Sequence, residues 1–137
     1  MTRSLLLLLP LALACDGPGV VGPTTARLGR VGGSNTSTAL LGSWRRTLFF
    51  LDDFNYSRSS ETTYQFAADG TAIRVQVARN HTLGLADILV SAGRWRLEGT
   101  RLVIDFVSPS TFQLALDMRL VGDQLELGGQ VFLRVLE

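Results

Sequence analysis

From residue 40 onward, apolar and polar positions alternate with a period of two almost throughout the chain. Phe112, Leu114, Leu116, Met118 and Leu120 fall on one face of an extended segment. Thr111, Gln113, Ala115, Asp117 and Arg119 fall on the other. Successive side chains of a strand point to opposite sides of the backbone, so this pattern predicts a half-buried antiparallel strand. The same spacing sets Ile73, Val75 and Val77 against Arg74 and Gln76, and Leu102, Ile104 and Phe106 against Arg101 and Asp105. It also sets Trp95 and Leu97 against Arg94, Arg96 and Glu98. Shorter versions are Tyr64 with Phe66, Leu125 with Leu127, and Val131 with Leu133 and Val135. With residues 44–51 as the first, the count reaches about eight strands, and no window carries a helical period. The predicted fold class is all-β.

Short turns lie between these runs. Ala68-Asp69-Gly70-Thr71 is an Asp-Gly hairpin signal, and Glu98-Gly99-Thr100, Gly122-Asp123 and Gly128-Gly129 do the same work further along. Tight turns between consecutive strands predict an up-and-down order. One sheet with a single apolar face must cover that face. Closure into an antiparallel barrel of about eight strands does so and removes the free edges, with a β-sandwich as the alternative.

Upstream of residue 40 the pattern changes twice. Residues 16–39 are rich in Gly, Pro, Ser and Thr, with scattered Val20, Val21, Leu28 and Val31. Such a composition does not repay its ordering entropy, which predicts a flexible tether. Before it come Arg3, the apolar run Leu5 to Leu13, and Ala12-Leu13-Ala14 directly ahead of Cys15. Charge, short apolar run and small residues together predict a signal peptide over residues 1–14, and the apolar run is too short to span a bilayer. The arrangement resembles the lipobox of bacterial lipoproteins, in which the cysteine is acylated and becomes the mature N-terminus. That resemblance implies lipidation at Cys15, export, and anchoring in the bacterial cell envelope through the lipid. The expected organisation is therefore a signal peptide (1–14), a lipidated cysteine with its tether (15–39) and a β-barrel (40–137).

Composition narrows the partners. The hydrophobic fraction of 46% suffices for a core, and the chain's one cysteine excludes an internal disulfide. All 13 basic residues are arginine. Without Arg3, 12 arginines face 12 acidic residues, which leaves no electrostatic case for nucleic acid. His81 is the one histidine and reads as part of a loop; Asp52-Asp53 opens a polar loop without the spaced ligands of a calcium site. No metal, no cofactor and no catalytic acid–base pair is expected, and the chain is expected to be a monomer and not an enzyme.

Gly42-Ser43-Trp44 at the start of the first strand resembles the Gly-x-Trp of lipocalins. Phe66-x-x-Asp69-Gly70-Thr71 and Gly93-x-Trp95-x-Leu97-x-Gly99-x-x-Leu102 are similar to the bacterial lipocalin-like domains of small lipoproteins. The second lipocalin motif, a Thr-Asp-Tyr before a late strand, is missing. The resemblance implies that Trp44 plugs the closed end of the barrel beneath an arginine from a late strand, the position Arg134 fills here. It also implies a small apolar ligand. The inward set Phe66, Trp95, Phe106, Phe112 and Met118, with Phe50 nearer the open end, is the candidate lining, and strand polarity places the mouth near residues 52–60. The bulk of that set points to a narrow cavity or none. A protein-interaction or inhibitor module of the envelope, with a filled barrel, is the alternative.

Overall fold

A computed structural model of the chain describes residues 36–136, and they form a closed antiparallel barrel of eight strands. The expected signal peptide, Cys15 and most of the expected tether lie outside the described residues. The strands are β1 (Gly42–Leu51), β2 (Ser57–Phe66), β3 (Thr71–Asn80), β4 (Leu85–Glu98), β5 (Arg101–Ser108), β6 (Phe112–Val121), β7 (Gln124–Leu127) and β8 (Gln130–Arg134). Each pairs with the next in sequence, and β8 returns to β1. The all-β class, the strand count and the up-and-down order all agree with the alternation of the sequence.

The Asp69-Gly70 turn shows how the connections are made. Gly70 has φ +90°, a backbone that side chains disfavour, and the Asp69 carboxylate accepts from the Thr71 N–H at 2.9 Å. Residues 36–40 form a single helical turn, and its last residue, Leu40, is fully buried.

The register fixes which side chains face inward. Trp44 pairs with Tyr64, Tyr64 with Arg74, and Arg74 with Ser91; further round, Trp95 pairs with Ile104 and Ile104 with Leu114. Two expectations are overturned by this ladder. On β3 the inward residues are Ala72, Arg74 and Gln76, while Ile73, Val75 and Val77 face out. Val77 is nevertheless buried, because its cross-strand partners Glu61 and Ile88 flank it. On β8 the inward residues are Phe132 and Arg134, and Val131 and Leu133 are exposed. Pairing of Arg134 with Trp44 sets that parity.

Strand lengths are unequal. β7 and β8 have 4 and 5 residues, against 10 in each of β1 to β3 and 14 in β4. Only Trp44 and Arg45 of β1 pair with β8, so residues 46–51 pair with β2 alone. Residues 85–91 of β4 likewise pair with β3 alone, before a register shift at Ala92/Gly93 brings in β5. The sheet β1–β4 therefore stands proud of the closed barrel as a flared lip.

Candidate functional site

The closed end is built around Trp44, which is 0% exposed. Its indole N–H donates to the carbonyl of Leu40 at 2.8 Å, tying β1 to the helical turn before it. The Arg134 guanidinium carbon lies 4.2 Å from the Trp44 ring centroid, within cation–π range. Arg134 also donates to the carbonyls of Leu41 at 2.9 Å and Ala39 at 2.7 Å, and to the Asp123 carboxylate at 3.1 Å. One side chain thus joins the helical turn, the β6–β7 turn and the first strand.

Around this plug the barrel is filled by Phe66, Leu102, Ile104, Phe106 and Leu125, with Trp95 and Met118 packed against them. Phe66 meets Trp95 edge-on at 5.6 Å, and the Trp95 indole donates to the Ala67 carbonyl at 3.0 Å. Phe106 is fully buried and stacks on the half-exposed Phe112 at 4.8 Å.

A cavity of about 270 Å³ remains beside this core. One wall is polar, with Thr62, Tyr64, Arg74, Gln76 and Gln130; the other is apolar, with Leu114, Leu116, Leu127 and Phe132. Burial pushes the Tyr64 hydroxyl above its ordinary pKa, and the neighbouring Arg74 guanidinium partly offsets that shift. None of Phe66, Trp95, Phe106, Phe112 and Met118 lines this space: the aromatic set forms the packing beside it. The expected apolar pocket is in fact two-sided. The cause is the inverted face of β3, which turns Arg74 and Gln76 inward where the alternation led one to expect Ile73 and Val75.

A second cleft, of about 380 Å³, opens on the lip. Phe50 lines it with Arg58, Ser60, Asn80, Leu85 and Asp87, so the mouth lies beside the 52–56 loop. Asp52 organises that loop. Burial pushes its carboxyl up, but the N–H groups of Tyr56 and Phe54 and the Arg58 side chain outweigh burial and hold it below its ordinary pKa. The outer face of the lip is apolar as well: Phe49, Leu51, Ile88 and Val90 are exposed, Phe49 by 74%.

His81 is exposed at the β3–β4 turn, and its Nε2 lies 2.8 Å from Ser59 Oγ. The sequence gives no sign of this pair, whose members are brought together by the β2–β3 register. Among the described residues, Ser59 Oγ is the hydrogen-bond partner seen for the ring. His81→Ala should cost about 1 kcal/mol or less, the usual net value of one hydrogen bond, as read from thermal denaturation.

No protein-family model matches the chain. No curated protein matches its sequence. Among solved structures, the chain is similar to a lipoprotein YedD from Klebsiella pneumoniae subsp. pneumoniae, at 11% identity and a TM-score of 0.47, over 70% of this chain and 71% of that one.

Proposed function

We propose that this protein is a lipid-anchored barrel of the bacterial cell envelope that holds a small amphipathic molecule in its interior. The observation that carries the reading is the two-sided cavity of about 270 Å³ on the inward face of the barrel. Binding sites of this kind combine apolar walls with a few convergent polar groups, and an eight-stranded barrel is just wide enough to hold one small ligand. The anchor rests on Arg3, the Leu5 to Leu13 run and Cys15. Native mass spectrometry of the protein purified from its host tests the ligand directly. A co-purified small molecule is the expected result, and a bare chain that takes up no added amphiphile would refute the reading.

Cys15→Ser should move the protein from the membrane fraction to the soluble envelope fraction. An unmodified Cys15 in the mature protein, found by mass spectrometry, would remove the anchor.

The exposed outer face of the lip supports a second reading, a docking module for another envelope protein. Phe49, Leu51, Ile88 and Val90 stand on that face with more than half of their surface open to solvent. Polar substitution of Phe49 and Ile88 should abolish partner capture under this reading and leave ligand uptake unchanged under the first.

A further inference from the structure

Among the described residues, the positive charge that lines the cavity is paired with no acid. Arg74 lines the cavity from the middle of β3. Its guanidinium carbon sits 4.9 Å from the Phe106 ring centroid and 5.3 Å from that of Phe112. Its Nε is buried without a hydrogen-bond partner, one Nη lies 3.5 Å from Ser91 Oγ, and the neutral Tyr64 hydroxyl is beside the guanidinium. Arg46 lies on the Trp44 face of β1, opposite the cavity residue Thr62, and no ion pair joins it among the described residues. Asp87 alone among the described carboxylates shares the inward face of the strands. It stands four residues from Ser91, the partner of Arg74, which is about 13 Å at ~3.3 Å per residue. At the mouth it shares a cleft with Arg58.

A guanidinium does not escape burial by losing its proton, so a part-buried arginine without a counter-ion is a standing electrostatic cost. Its donors form a planar fork that matches a carboxylate. The groups around it, the Tyr64 hydroxyl and the Gln76 and Gln130 amides, are neutral hydrogen-bonding partners. That set suits one negative charge better than two. The wall opposite is aliphatic, and the inner face continues from Gln76 and its partner Leu89 to Leu48, Phe50 and Leu85 at the mouth, all of them exposed.

We infer that the cavity binds an amphiphile with a carboxylate head seated on Arg74 and an apolar tail running along the inner face of the lip to the mouth. The inference rests on the ligand-carrier reading above, and the test separates the two. The full chain is titrated calorimetrically with decanoate, with decanol and with decyl phosphate. Decanoate should bind at least about tenfold more tightly than decanol, the difference one charge-assisted hydrogen-bonded pair supplies. Arg74→Gln should remove that preference, lowering decanoate affinity at least about tenfold more than decanol affinity. Equal affinity of the wild type for decanoate and decanol would overturn the head assignment and leave the cavity standing as a ligand site. Binding of none of the three would overturn the carrier reading itself. Tighter binding of decyl phosphate than of decanoate would overturn the carboxylate. If Arg74→Gln does not fold, Arg74→Lys keeps the charge and loses the fork. Its decanoate preference should then fall severalfold, and an unchanged preference would overturn the role of Arg74.

Discussion

Replacing Gly93 with alanine should leave little or no folded protein. A Cβ built on Gly93 would lie 2.1 Å from the Asp105 carbonyl oxygen and 2.7 Å from the Phe106 Cα. Both are backbone atoms of β5, so no rotamer change can make room. The collision falls at the register shift between Ala92 and Gly93, where β4 stops pairing with β3 alone and takes up β5. Phe106, fully buried, blocks retreat toward the core. Overpacking against side chains costs about 1–3 kcal/mol. A backbone obstacle should push the loss beyond about 3 kcal/mol, a large share of the roughly 5–15 kcal/mol that holds a domain of this size. Urea denaturation followed by far-UV circular dichroism reads the loss. Gly84→Ala is the control: nothing lies within 4 Å of its Cβ, and its φ of +69° leaves only conformational strain, about 1–2 kcal/mol. If Gly93→Ala costs no more than this control, the bulge is compliant and the close approach of β4 and β5 does not hold the barrel shut.

Trp44→Ala should cost about 3–5 kcal/mol, the range for truncating a large aromatic in a core. Three losses coincide at this site. The indole vacates the closed end, the Leu40 carbonyl loses its donor at 2.8 Å, and Arg134 loses the ring it faces at 4.2 Å. Trp44→Phe isolates the indole N–H: it keeps most of the apolar bulk and should cost about 1–3 kcal/mol for the unpaired carbonyl and the smaller ring. Differential scanning fluorimetry of both variants gives the comparison. A loss under about 1 kcal/mol for Trp44→Ala would show that Leu40, Leu125 and Phe132 close the end without it.

The strands were legible because alternation is a local property. Residues 112–120 and 101–106 read correctly on both faces, and the Asp69-Gly70 turn fell where its chemistry required. The faces of β3 and β8 were not legible. In Ile73-Arg74-Val75-Gln76-Val77 the alternation is clean, but which set faces inward is decided by pairing with Tyr64 and Ser91, contacts remote in sequence. The first half of β4 was missed because Leu85, Ile88, Leu89 and Val90 place apolar residues on both faces, and a strand apolar on both sides has no period to detect. The resemblance, and not spacing, suggested Arg134 as the partner of Trp44, since the closure of β8 on β1 leaves no local trace in the sequence. The cavity was legible least of all: its polar wall is made of residues that alternation assigns to solvent.

The closure between β1 and β8 has a bearing on how the chain reaches this state. Every other ladder joins neighbours in sequence, so hairpin after hairpin can form with little loop entropy to overcome. The last ladder alone unites the two ends of the meander, across only two paired positions, Trp44 with Arg134 and Arg45 with Leu133. It is the step of highest sequence separation and of smallest hydrogen-bonded reward, which marks it as the late, rate-setting event. The same asymmetry governs opening in the native state. Amides of β7 and β8 should exchange with solvent through a local release of this latch, while those of β2 and β3 wait for the whole domain to unfold.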